Sequence, residues 1–89
     1  MEVAGVILPF KNIGGVSDLN SMGTGFCEIS SNMGNIPPVN DSGYIGYVLS
    51  FAEKSNLRIQ IAMCYVGNSL WFRRTVQGEN NYTEWEQFK

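Results

Sequence analysis

Glu84 and Glu86 stand two residues apart near the C-terminus, with Glu79 shortly before them. Paired carboxylates about 5 to 9 Å apart are the core equipment of a glycosidase, one as acid and the other as base or nucleophile. On a strand, residues two apart share a face, so this pair has the spacing for that chemistry. The plain alternative is a solvated strand whose negative charges discourage pairing with another edge, and it is the preferred reading. The remaining catalytic equipment is absent. The chain has no histidine, so Ser-His and Cys-His nucleophile systems lack their usual base. Two cysteines, Cys27 and Cys64, cannot build a four-thiolate zinc site, and Cys-His sites are excluded. The glycine-rich stretches lack the lysine of a P-loop and the helix-opening GxGxxG. The expectation is a protein without catalytic activity and without a metal or other cofactor.

Binding chemistry is better represented. Trp71, Tyr82, Trp85, Tyr65 and Tyr44 offer flat aromatic faces that pack on the C–H surfaces of a pyranose, and also dominate the cores of small domains. A place in the core is the preferred reading for Trp85 and Phe72, and packing over ligand contact for Trp71 and Tyr82. Arg73 and Arg74 are adjacent, so on a strand they point to opposite faces and cannot form one binding fork. One of them is expected to bond a carboxylate or backbone carbonyls beside Trp85, in a stacked structural role, with the other exposed. Gln60 is expected to cross-link strands through its side chain. The net charge of −2 leaves no electrostatic footprint for nucleic acid or for anionic lipid. No apolar run approaches the roughly 20 residues of a membrane span, and the N-terminus lacks the features of a signal peptide. The polar, weakly charged remainder suits hydrogen bonding to sugars.

Most of these residues belong to strands. Gly25 to Ser30 alternates, with Cys27 and Ile29 on one side and Phe26 and Glu28 on the other. In Tyr44 to Ala52, Ile45, Tyr47, Leu49 and Phe51 share one face; Gly46, Val48, Ser50 and Ala52 share a second, small face that permits close approach of another layer. Arg58 to Val66 sets Ile59, Ile61, Met63 and Tyr65 against Arg58, Gln60, Ala62 and Cys64. Leu70 to Val76 sets Leu70, Phe72, Arg74 and Val76 against Trp71, Arg73 and Thr75. Glu53 to Asn56 reads as a hairpin loop and Gly67-Asn68 as a tight turn between strands. Glu84 to Phe88 is a short closing strand. Ser17 or Asp18 caps a single helical turn before Met22. Residues 31–43, with Pro37-Pro38 and several asparagines, form the longest loop. The fold class is therefore all-β, with a minor helix at most, arranged as a small antiparallel sheet or meander. Residues 1–15 read as a linker or the end of an upstream shaft, and residues 16–89 as the domain.

Eighty-nine residues make one domain that buries only roughly 60% of its unfolded surface, so a chain of this size commonly draws stability from elsewhere. One disulfide at most is available. Both thiols are expected to be free, Cys27 as a small buried hydrophobe. Self-association is the remaining aid.

The set Asp18-Leu19-Asn20, Gly25-Phe26, Asn35-x-Pro37, Gly43-Tyr44, Gln60, Trp71-Phe72-Arg73 and Tyr82-x-x-Trp85 resembles the pyocin-knob family, whose modules occur in tail fibres of bacteriophages and R-type pyocins. The match runs from Val16 to Phe88. It rests on the order and spacing of elements that are each weak alone. One departure is Tyr82, where the family pattern has the first tryptophan of its closing pair. The resemblance implies a homotrimeric, non-enzymatic knob or head domain of a receptor-binding fibre, assembled in the host bacterial cytoplasm and carried on the virion. A bacterial surface glycan is then the candidate ligand, with Trp71, Tyr82, Asn35, Asn40 and Tyr44 as candidate contacts. Gln60, Phe72, Arg73 and Trp85 are implied as structural motif residues, and neither nucleic acid nor membrane insertion is expected. A trimerisation and folding cap with no ligand of its own is the alternative, and a carbohydrate-active enzyme ranks last.

Overall fold

The structure, a computed structural model, describes residues 2–3, 6–7, 11–39, 43–76 and 78–88. Two short strands, β1 (Glu2–Val3) and β2 (Val6–Ile7), pair with each other. The main sheet holds β3 (Gly25–Ser30), β4 (Tyr44–Lys54), β5 (Leu57–Cys64), β6 (Ser69–Arg74) and β7 (Glu86–Phe88). These five lie side by side in chain order, each antiparallel to the next. The fold is all-β, as the alternating patterns require.

Local chemistry sets the connections. Lys54 pairs with Leu57, which leaves Ser55 and Asn56 as the tips of a two-residue turn. Between β5 and β6 the chain makes a short 3-10 turn, Val66–Asn68, in which Gly67 and Asn68 take φ of 69° and 50°. Glycine and asparagine are the residues that enter this left-handed region at least cost. The expected single helical turn is the 3-10 segment Leu19–Ser21, and Asp18, not Ser17, caps it by accepting from the Asn20 amide. Residues 11–13, expected as linker, lie parallel to β3: Ile13 N–H donates to Phe26 O and Phe26 N–H to Lys11 O.

Cross-strand rows define two faces. On one face Cys27, Val48, Ala62 and Trp71 are successive partners, as are Ser50, Gln60 and Arg73. This inner face is buried under irregular chain, with Leu19 and Met22 in the core and Ile13, Val16, Met33, Ile36 and Val39 packed against it. The small side chains expected to admit a second layer do so, and the layer is loop rather than sheet. On the other face Phe26, Leu49, Ile61 and Phe72 form one row, and Tyr47, Met63, Leu70 and Phe88 another. Tyr47, Met63, Leu70 and Phe88 are exposed.

Two expectations are corrected here. Ile45 does not share a face with Tyr47; it is fully buried beside buried Gly46. The register slips between Ile29/Ser30, so that Ser30 pairs with Tyr44 and Ile45 has no partner in β3. Such a bulge re-aims one side chain, here into the core. Phe72 is not core. Parity with Leu70 and Arg74 places it on the outer face, where its ring meets Phe88 edge-on at 6.0 Å.

Candidate functional site

The inner face is polar at one end, and there the chain closes a ring of contacts. Gln60 is its hub: fully buried, it donates through Nε2 to the Leu19 carbonyl at 2.7 Å and accepts through Oε1 from Arg73 Nε at 2.9 Å. Arg73 lies with its guanidinium carbon 4.0 Å from the centre of the Tyr82 ring and 4.7 Å from that of Trp85. Trp85 Nε1 donates to the Asn35 carbonyl at 2.8 Å, and Asn35 Nδ2 donates to Asp18 Oδ1 at 2.8 Å. Asp18 adjoins Leu19, which closes the circuit. Asn35 holds its place in a left-handed conformation, φ 57°. Residues distant in sequence thus meet through hydrogen bonds, and those of Gln60 satisfy polar groups that the sheet and its roof bury.

The expected cross-linking role of Gln60 is borne out, as is the division of the arginines: Arg73 is buried and Arg74 exposed. Arg73 differs from expectation in its partner. It bonds the neutral amide of Gln60, because that residue is its direct neighbour across β5 and β6. Burial pushes the Arg73 pKa down to about 10, with Tyr82 and Asp18 opposing the shift. The guanidinium therefore stays charged at neutral pH, stabilised mainly by two aromatic faces.

Beside this ring lies an open cleft of about 800 Å³, lined among others by Asn20, Asn35, Arg58, Asn81, Tyr82 and Trp85. Arg58 was missed as a site residue, although it shares the parity of Gln60. Its guanidinium lies 4.7 Å from the Tyr82 ring on one side of the cleft and bonds the backbone carbonyls of Asn20 and Asn80. Tyr82 is brought there by a bridge to Thr75 and is packed against both arginines. Burial raises the Tyr82 pKa, so its hydroxyl is neutral.

Of the candidate glycan contacts, Tyr82 and Asn35 meet at this cleft. Trp71 does not: it is half-buried against the core and donates to Ser69 Oγ at 2.9 Å. Its row leads through Ala62 and Val48, away from the polar row of Gln60. Tyr44 is exposed at the other end of β4, its carbonyl accepting from the Tyr65 hydroxyl. Asn40 lies outside the described residues. The carboxylate pair also separates, since Glu84 lines the cleft whereas Glu86 pairs with Phe72 in the neighbouring strand. Among the described residues no cluster of metal-ligating side chains occurs, and no helix is long and apolar enough to cross a membrane. Cys27 and Cys64 are free, buried, and raised in pKa by that burial, which disfavours the reactive thiolate.

Asp18 supplies a pH test. Its carboxylate is held below the ordinary range, first by the Asn35 hydrogen bond and then by the Asn20 amide. A lowered folded-state pKa stabilises the fold above the unfolded value, and that contribution disappears as pH falls through the folded one. Acid unfolding is therefore expected to steepen below pH about 4, and Asp18→Asn should flatten that limb. Equal acid slopes for the two proteins in urea titrations would remove Asp18 from this role.

No family model, curated protein or solved structure matches the chain.

Proposed function

We propose that this chain is a non-enzymatic knob or head domain of a tail fibre of a phage or phage-like particle, acting as a homotrimer in attachment to the bacterial host surface. The observation that carries this reading is the open cleft walled by Tyr82 and Trp85 and rimmed by Asn20, Asn35 and Asn81. Aromatic faces beside neutral amides suit a hydroxyl-rich, uncharged ligand such as a surface saccharide, which gains from C–H packing and from many weak hydrogen bonds. Two features favour binding over turnover. Among the described residues a single carboxylate, Glu84, lines the cleft, and its arginines are engaged in stacking. The residues on which the pyocin-knob resemblance rests add support: Asp18, Leu19, Asn35, Gln60, Arg73 and Trp85 form one connected ring. Free buried thiols accord with assembly in the reducing cytoplasm of a host cell before incorporation in the virion.

A screen of the chain against bacterial surface glycans tests the reading, with Asn81→Trp as the companion. Asn81 is exposed at the cleft, so the variant should fill the opening and abolish binding while leaving the thermal midpoint unchanged. A folded chain that binds none of these glycans, nor whole bacteria, would overturn attachment. A ligand-free trimerisation cap would then be favoured if deleting the domain made the fibre insoluble.

A further inference from the structure

A sheet with one roofed face leaves the other to be explained, and among the described residues the face opposite the roof is the more apolar one. Its middle row reads Phe26, Leu49, Ile61, Phe72 and Glu86 across the five strands. The row to one side reads Glu28, Tyr47, Met63, Leu70 and Phe88, and that to the other holds Phe51, Ile59 and Arg74. Fractional exposure is 49% for Tyr47, 41% for Ile59 and Met63, 38% for Leu70 and 64% for Phe88. Since an aromatic side chain carries about 150–250 Å², these five expose on the order of 400 Å² of apolar surface in one patch.

We infer that the outer face of β3–β7 is the interface between copies of this chain, closed when copies pack these faces together. This rests on the proposed homotrimer only for the number of copies. Two observations select a second copy as the occupant. The first is size. The patch falls within the roughly 300–600 Å² found as the largest on a typical monomer, and half-buried Leu49, Ile61 and Phe72 would extend it toward the ~800 Å² per partner of a stable complex. The second is charge. Glu28 and Glu86 stand on the two outermost strands of this face and Arg74 on the strand between β5 and β7, a charged rim around an apolar centre. None of the three makes an ion pair among the described residues. A rim carrying both signs can pair with its own copy, whereas its two carboxylates repel an anionic lipid surface.

Sedimentation equilibrium of the chain, combined with peroxide oxidation of its methionines, tests this. The expected result is a mass of more than one copy, with Met63 oxidised as slowly as buried Met22 although the single chain leaves Met63 open. Tyr47→Lys and Met63→Lys, made separately, should weaken association by roughly a hundredfold, because each would bury an unpaired ammonium. Both positions are exposed in the single chain, so circular dichroism should be unchanged, and in Tyr47→Lys the Met63 sulfur should become freely oxidised. A monomer at all concentrations overturns the inference. So does an assembly in which Met63 oxidises freely and Tyr47→Lys associates as before. Binding of a monomeric chain to neutral phosphatidylcholine vesicles, lost in Tyr47→Lys, would assign the face to lipid and overturn it likewise. A dimer with Met63 protected upholds the interface and overturns the three-copy reading. Failure to bind glycans leaves the interface standing, so the two readings fail separately.

Discussion

Arg73→Ala is expected to destabilise the domain by about 2–5 kcal/mol, in the range for opening a large cavity and leaving a buried acceptor unpaired. The substitution removes the 2.9 Å bond to Gln60 Oε1, leaves that oxygen buried without its partner, and takes the packed cation from between Tyr82 and Trp85. A domain of this size has only about 5–15 kcal/mol in total. The variant should therefore lose much of its folded population under mild denaturant. Arg73→Lys should recover little, since an ammonium can neither lie flat between two rings nor reproduce the planar guanidinium contact. Arg73→Met should recover more, because an apolar chain of similar length refills the space that alanine leaves empty. Urea unfolding at one fixed chain concentration gives the three values; fixing it matters because association adds to apparent stability. A loss below about 1 kcal/mol for Arg73→Ala, within the span of ordinary surface substitutions and weak hydrogen bonds, would mean that the stack is incidental.

The second large effect concerns Gly46. A β-carbon there would stand 2.1 Å from the Met63 carbonyl oxygen and 2.9 Å from the Cys64 α-carbon, and both belong to the backbone of β5. Backbone cannot swing aside as a flexible side chain does, so β4 and β5 would have to part at this point. Overpacking in a filled interior costs roughly 1–3 kcal/mol and occasionally more, and Gly46→Ala is expected at or above the top of that range. The site lies beside the bulge that turns Ile45 inward, so the ladder between Gly46 and Cys64 cannot yield without disturbing the core. Gly14→Ala is the matched control, with open space around the new carbon. Denaturation midpoints should fall for Gly46→Ala alone. Equal midpoints would show that the two strands are less tightly apposed than their geometry implies.

Both effects arise where the sequence is only partly informative. Alternation located β3 through β6 within a residue or two, because a half-buried strand needs side chains of opposite character on its two faces. It also separated Arg73 from Arg74 and placed Gln60 between strands. Glycine and asparagine at Gly67-Asn68 marked a reversal for a local reason, their tolerance of positive φ. Asp18 announced a helical turn through the length of its side chain, which reaches the amide two residues on.

Other features depended on chain returning from elsewhere. Parity says that two faces exist but not which one is covered; that is decided by the roof that lies over Val48, Ala62 and Gln60. The expectation of Phe72 in the core failed for this reason, and Phe72 faces outward with Phe88. Trp71 shares a face with Arg73 yet sits on a different cross-strand row, so it misses the cleft that Tyr82 and Asn35 share. Arg58 becomes a cleft residue only when Tyr82, 24 residues further along the chain, is carried back by its bridge to Thr75. Ile45 broke the alternation through a bulge whose cause lies in the register of the partner strand. The sequence by itself thus determined the strands, their turns and the pairing of opposite faces, all set by interactions within a few residues. The tertiary structure decided which face the roof buries and which aromatic rings flank Arg73, because each is a contact between segments that no local pattern encodes.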